Sequence, residues 1–304
     1  MLDPEVRARW QLTAGRLLSN RAAGTWEATR KGERFVVKHF GAEFPPDWRY
    51  TLRVAAALRQ HGWPTPEPAE EPLITPDGAW VLFRRLPGRP RTPTDNDKPA
   101  EQRARGRLLA QFHTAAAATG ITDQRNGFTG PDQVVSDPEL EYWLRMHETV
   151  RPDEGRTLRA CRDAATQWFA DNATPDALRS VIHGDFAPWN LLFSAGRLTG
   201  VLDFEATHYT YQVADFALSW RGYHDDVLRG YDEVRNLSDA EWRLVRPVFW
   251  AWLFLGVKDL LSDSYARAPD DAAPLRLEWQ VNHLRKHSAL LAEKSDVPAL
   301  PVDD

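Results

Sequence analysis

The stretch His183-Gly184-Asp185-Phe186-Ala187-Pro188-Trp189-Asn190, followed thirteen residues after Asn190 by Asp203-Phe204-Glu205, decides how this chain is read. Ser180-Val181-Ile182 is a short apolar run delivering the loop, and Leu191-Leu192-Phe193 is a second run leaving it. Ser194-Ala195-Gly196-Arg197 is a turn by composition, and residues 198–202 form the returning strand. A hairpin of that kind carries Asp203 back beside Asn190. An acid, an amide five residues later and a second acid beyond a hairpin are what a metal-dependent phosphoryl-transfer site needs. One carboxylate orients a hydroxyl nucleophile, while the amide oxygen and the other carboxylate hold Mg2+ against nucleotide phosphates. Asp185 is the candidate catalytic residue, and Asn190 and Asp203 are the candidate metal ligands.

His183, Asp185 and Asn190 also fall in the spacing of the kinase catalytic loop, H-R-D-x-x-x-x-N, with Gly184 at the second position. With the hairpin and the second acid, the chain resembles the aminoglycoside phosphotransferase-like family of small-molecule kinases, which includes choline kinase-like members. The resemblance is strongest over residues 181–216 and covers both lobes in outline. It implies an α+β, protein-kinase-like bilobal fold. Residues 1–88 would be a small β-rich nucleotide-binding N-lobe with one long helix and a hinge at 83–88, and residues 89–304 a larger, mostly helical lobe for catalysis and substrate.

The first ninety residues fit that outline. Residues 26–29 and the β-branched run Arg34-Phe35-Val36-Val37-Lys38 read as antiparallel strands about the turn Arg30-Lys31-Gly32-Glu33. The earlier turn, residues 20–25, would lie over the phosphates. It has Gly24 as its only glycine, so the side chains of Asn20 and Thr25 are the candidates for phosphate contact. Lys38 closes the apolar strand in a chain with only six lysines against 32 arginines. A compact ammonium there suits α- and β-phosphates. By the resemblance, backbone groups of Phe83, Arg84 and Arg85 would face an adenine edge.

One departure stands out. Residues 46–61 read as a helix beginning near Asp47, with Leu52, Ala55 and Ala56 on one face. The family pairs its strand lysine with a glutamate on this helix, at a place that falls near Thr51 here. No glutamate lies between Tyr50 and Gln60. Asp47 and Glu43 are the possible replacements, and the gap leaves a nucleotide-binding pseudokinase open as an alternative.

Composition bounds the rest. With 42% hydrophobic and 27% charged residues among 304, the chain has the make-up of a globular protein with room for two cores. No run reaches the roughly eighteen apolar residues of a membrane span. The early acids in Met1-Leu2-Asp3-Pro4-Glu5 argue against a secretory signal. The single Cys161 allows no internal disulfide. A cytoplasmic enzyme without an obligate protein partner is the expectation. Residues 1–90 carry a balance of +4 and residues 91–304 one of −9. The first suits nucleotide phosphates and the second a cationic substrate, while nucleic acid is disfavoured.

Beyond the loop, residues 101–118 read as a long helix with Leu108, Leu109 and Phe112 inward, and His113 beside them as support. Residues 119–137 read as loop, 138–150 and 156–171 as helices, and 213–234 as one more. Within that last helix, Asp215 resembles the family's aspartate that braces the loop bearing His183. Only eleven residues separate Asp203 from Asp215, too few for the activation segment of a protein kinase. Residues 239–267 are aromatic-rich with Pro247 expected to kink or split them, and 275–293 read as a final helix. Candidate substrate-lining residues are the acids Glu205, Asp225, Asp226 and Glu278 with Trp189, Trp220 and Tyr223.

By the resemblance, the chain is expected to use ATP or GTP with Mg2+ to phosphorylate a hydroxyl of a small molecule. An aminoglycoside-like antibiotic or related natural product fits, with a role in resistance. A metabolic acceptor such as homoserine, choline or a sugar remains an alternative. A metal hydrolase built on His183, Asp185 and Asp203 is weaker, since no second histidine completes a ligand set.

Overall fold

The structure, a computed structural model, describes residues 2–19, 24–41, 47–92, 94, 97–172, 176–218, 224–267, 276–284, 288–297 and 300. These residues form two compact units. The first comprises residues 1–97, 112–128 and 183–209, and the second comprises 98–111, 129–182 and 210–304.

The first unit opens with α1 (Pro4–Arg9), where Pro4 takes the first helical position and the Asp3 carboxylate accepts the free N–H groups of Glu5 and Val6. Strands β1 (Ala14–Ser19), β2 (Thr25–Arg30), β3 (Glu33–Gly41), β4 (Leu73–Thr75) and β5 (Gly78–Arg84) make one antiparallel sheet in the order β1-β2-β3-β5-β4. The β2–β3 connection is a two-residue turn, Lys31 and Gly32, with φ of 51° and 84°. Such a turn matches the right-handed twist of the strands it joins. Side-chain alternation along β3 then sorts the core. Phe35 and Val37 pack with Trp26, Ala28, Leu82, Val6 on α1 and Trp10 just after it. Val36 and Phe40 face the other way, toward Val81, Phe83 and the helix α2 (Trp48–Gln60). Lys38 shares their parity, so period-two geometry puts it on the α2 side of the sheet.

α2 buries Tyr50, Thr51, Val54, Ala55 and Leu58 at three- and four-residue intervals. Leu52 and Ala56, expected on that face, are only partly buried. After α2 the chain is pinned by Val201 N–H to the Pro64 carbonyl and by the pairing of Arg89 with Phe193. These bonds draw residues 183–209 into the same unit as the sheet, although the sequence assigned them to the helical remainder.

The rest of the chain is mostly helical: α3 (Pro99–Ala118), α4 (Pro131–Val135), α5 (Pro138–Val150), α6 (Pro152–Asp171), α7 (Ala214–Leu218), α8 (Asp225–Asp232), α9 (Asp239–Arg267), α10 (Glu278–Leu284) and α11 (Ala289–Lys294). β6 (Arg179–Ile182) pairs in a two-stranded sheet with β9 (His208–Tyr211), and β7 (Leu191–Ser194) pairs with β8 (Arg197–Val201). The antiparallel N-terminal sheet with one helix, followed by helices, is the α+β kinase-like architecture expected.

Differences lie in the helices. Residues 119–137, read as loop, contain α4. The stretch 213–234 holds two helices, α7 and α8, and 275–293 also holds two, α10 and α11. α9 runs on across Pro247, giving up one main-chain bond in place of the expected break, and it contacts α4, α5, α6 and α7 along its length. Leu244, Val248, Phe249, Trp250, Leu253, Phe254, Val257 and Leu261 on α9 are buried, and that packing outweighs the missing bond. Among the described residues, no helix is long and apolar enough to cross a membrane.

Candidate active site

The loop between His183 and Asn190 takes its shape from a glycine. Gly184 has φ +78°, and a Cβ there would lie 2.3 Å from the Ala206 carbonyl oxygen, so no other residue fits. His183 is wholly buried, edge-on to Phe112 and Phe186 and tilted against Phe204. Its Nδ1 accepts the Asp185 N–H at 3.1 Å, which leaves the proton on Nε2, and Nε2 donates to the Leu202 carbonyl at 2.9 Å. Asn190 Nδ2 donates to Asp185 twice, to Oδ2 and to the backbone carbonyl, both at 2.9 Å. The amide nitrogen is thereby committed to Asp185, and the amide oxygen is the end left for a cation.

The hairpin returns Asp203 as expected. Ala195 and Gly196 at its tip both have positive φ, the geometry of a tight two-residue turn. At its base Leu202 N–H donates to the Asn190 carbonyl at 2.8 Å. Asp203 itself is left-handed, with φ 66° and ψ 61°, and begins the single turn Phe204–Ala206. A non-glycine residue held there is strained, and such strain persists where surroundings over-determine it.

Two residues hold this turn, one of which, Arg125, the sequence gave no reason to single out. Arg125, 1% exposed, donates to the carbonyls of Glu205 at 2.6 Å, Thr207 at 2.8 Å and Asp47 at 3.3 Å. Burial pulls its guanidinium down to about 10, opposed by the charge of Asp47 and by Tyr50. Thr51, at the place where a helix glutamate was sought, donates to the Phe204 carbonyl at 3.4 Å. Neither contact has a side-chain complement that a sequence pattern can reveal.

Lys38 finds its partners on the turn rather than the helix. Its ammonium lies 2.7 Å from Asp203 Oδ1 and forms an ion pair with Glu205. Glu205 is therefore corrected from a substrate-lining acid to a partner of Lys38, because the left-handed step at Asp203 folds its carboxylate inward. Asp47 is corrected too. Its carboxylate accepts the Tyr50 N–H at 3.0 Å as the N-cap of α2. Glu43 and Asn20 lie outside the described residues.

Thr25 lies directly across from Lys38 in the β2–β3 register. Phe83 is buried opposite Val36. The Arg84 N–H is taken by the Glu67 carbonyl at 3.0 Å. Arg85 pairs with Glu27 at 2.9 Å. Trp189 is 48% exposed. In the second unit, Asp215 is buried at the start of α7. Asp225 accepts from Ser288 Oγ and Leu290 N–H, and Asp226 pairs with Arg103 at 3.0 Å. These two acids fix helix ends and contacts rather than offering charge to a ligand. Glu278 is exposed beside Arg276. Trp220 and Tyr223 lie outside the described residues.

The donor set suits magnesium. That ion takes oxygen ligands, usually one or two from carboxylates, with substrate phosphates completing the shell. Asn190 and Asp203 supply such oxygens, and the Asp203 side chain is 45% exposed with Lys38 on one oxygen. Among the described residues no group of three His, Cys, Asp or Glu could hold a metal unaided.

Comparison with known proteins gives the same direction. Homoserine kinases of Brucella canis and Brucella suis are each 30% identical over 219 residues, which span 64% of this chain and 62% of those proteins, under two thirds of their length. In fold, the chain is similar to the apo form of a thermostable mutant of aminoglycoside phosphotransferase APH(4)-Ia. That match has a TM-score of 0.65 at 17% identity and covers 91% of this chain and 95% of the other. A ternary complex of that enzyme with ADP and hygromycin B gives 0.66 at 17%, covering 93% and 96%. The macrolide 2'-phosphotransferase MphH from Brachybacterium faecium gives 0.57 at 21%, covering 90% and 97%. The sequence profile of the phosphotransferase enzyme family APH matches residues 14–248, most of the length and all of the stretch 183–209, and the chain accordingly belongs to that family.

Proposed function

We propose that the protein transfers the γ-phosphoryl group of ATP or GTP to a hydroxyl of a small molecule, and that this acceptor is an antibiotic or related natural product of the aminoglycoside kind. The observation that carries the reaction is the joint between Asp185, Asn190 and Asp203: Asn190 grips Asp185 with its side-chain amide nitrogen, and its main-chain carbonyl receives the N–H of Leu202, the residue before Asp203.

In this reading Asp185 orients the acceptor hydroxyl and takes its proton late, as a loose transition state requires. Asn190 and Asp203 would hold Mg2+, which when bound neutralises charge on the phosphates. Lys38 steadies the nucleotide. Rate enhancement comes mainly from positioning and from fixed charge. The fold likeness to antibiotic kinases and the −9 balance of residues 91–304 support a cationic acceptor handled in the cytoplasm, with antibiotic resistance as the outcome. The pairing of Lys38 with two acids weighs against the pseudokinase alternative.

A second reading, a homoserine kinase, is favoured by the 30% identity to the Brucella enzymes. The test is a nucleotide-consumption screen with Mg2+ against aminoglycosides, macrolides, homoserine, choline and sugars, with product mass followed for the gain of one phosphate. Asp185→Ala is expected to abolish transfer while nucleotide binding survives. Turnover retained in that variant would overturn the mechanism, and phosphate appearing on homoserine alone would move the acceptor to the second reading.

A further inference from the structure

Given the reading of Lys38 as the phosphate-binding lysine, we infer that Glu205 is the positioning residue for its ammonium, doing from the turn after Asp203 what a helix glutamate does in kinases.

The argument begins with an isolated charge. The Glu205 side chain is 11% exposed, Oε2 has no hydrogen-bond partner, and its one charged partner among the described residues is the Lys38 ammonium, which Oε1 faces. A carboxylate removed from water is costly unless it is paired, and an apolar residue would pack there without that cost. A buried acid with a single cation partner therefore acts through that cation.

The second observation is what stands on the helix. Thr51 occupies the place sought for a carboxylate, is 4% exposed, and spends its hydroxyl on the carbonyl of Phe204, the residue before Glu205. The helix thus supports the turn that bears the acid. Arg125 adds to this by donating to Glu205's own carbonyl at 2.6 Å and Thr207's at 2.8 Å. With main-chain anchors on both sides, the Glu205 carboxylate has a fixed origin.

The third is the division of labour at Lys38. Asp203 also contacts the ammonium, at 2.7 Å, but its side chain is 45% exposed and belongs to the donor set that suits a metal. When Asp203 turns to that role, Glu205 is the acid that remains on Lys38. A lysine held this way presents its remaining protons to phosphate oxygens without searching rotamers, which a long four-carbon stem otherwise does.

The experiment is a double-mutant cycle on ADP binding, read by calorimetry with EDTA and again with Mg2+. Glu205→Gln and Lys38→Met are each expected to weaken ADP binding by about tenfold, equally in the two buffers, and the double variant is expected to bind within about twofold of Lys38→Met alone. In turnover, the nucleotide KM of Glu205→Gln rises while the acceptor KM holds. Losses that multiply in the double variant would overturn the inference. So would a Glu205→Gln defect confined to the Mg2+ buffer, which would make Glu205 a metal ligand. Should the glutamine variant fail to fold, Glu205→Asp keeps the buried charge but draws it back by one methylene; binding equal to wild type in that variant overturns the positioning role. Wild-type protein that binds ADP but phosphorylates no acceptor would sink the proposed function alone, whereas wild-type protein that does not bind ADP would sink both.

Discussion

His183 and Leu202 are joined by a hydrogen bond from the imidazole Nε2 to the leucine carbonyl at 2.9 Å, and the N–H of the same Leu202 donates to Asn190 at 2.8 Å. One residue, through its N–H and its carbonyl, thus fastens the loop bearing Asp185 to the strand end bearing Asp203. The histidine clamps the two acid-bearing segments to each other.

Replacing the clamp should therefore cost both stability and rate. His183→Ala leaves the Asp185 N–H and the Leu202 carbonyl without partners, at about 1–3 kcal/mol for buried groups. A displacement of order 1 Å between the two carboxylates costs about 100-fold in kcat. Denaturant unfolding and steady-state kinetics on the same preparation measure the two. A variant that loses stability but keeps full kcat would show that the loop holds its geometry without the ring.

Asp47→Ala tests the corrected role of that acid. Loss of an N-cap is worth about 1 kcal/mol, so the unfolding free energy should fall by that amount while nucleotide affinity stays put. A drop in nucleotide affinity of more than a few fold would return Asp47 to the company of Lys38.

The pair between Lys258 on α9 and Asp137, the N-cap of α5, carries a pH signature. Burial tends to raise the Asp137 carboxyl, but the Lys258 hydrogen bond, the Glu139 N–H and the Lys258 charge outweigh it and hold it below its ordinary value. Burial tends to lower Lys258, yet the bond to and charge of Asp137, with Glu139, hold it above its ordinary value. The Asp137 contribution is present above about pH 4, the ordinary carboxyl value, and is lost as pH falls through the lower folded one. The Lys258 contribution is present below about pH 10.4 and is lost as pH rises through the higher folded one. The stability difference between wild type and Lys258→Met should then be flat at about 0.5–1 kcal/mol from roughly pH 5 to 9, shrinking on either side. Unfolding curves at pH 3, 7 and 9 check this, and an undiminished difference at pH 3 contradicts the pairing.

The sheet and the hairpin that returns Leu202 to Asn190 were readable, because each rests on local rules: alternation along β3, paired positive-φ residues at Lys31-Gly32 and Ala195-Gly196, and fixed loop spacing. The missing helix acid was readable as a gap. Its replacement was not, because the direction of Glu205 depends on the left-handed backbone of Asp203, which no composition announces. Asp47 misled because an N-cap and an ion-pair acid look alike ahead of a helix. Arg125 was invisible for a different reason: a cation whose hydrogen-bond acceptors are main-chain carbonyls leaves no matching residue elsewhere to find. The split of residues 213–234 into two helices was missed because apolar periodicity continues on both sides of the break.

Arg125 has one more consequence. It joins the carbonyl of Asp47, at the mouth of α2, to those of Glu205 and Thr207, so helix and turn travel as one body. Protein kinases are throttled by swinging the corresponding helix, which makes or breaks the lysine's ion pair on demand. Here the acids on Lys38 ride on the turn itself, and such a swing would have nothing to disconnect. A movement of α2 would carry the turn with it and leave both acids beside the Lys38 ammonium.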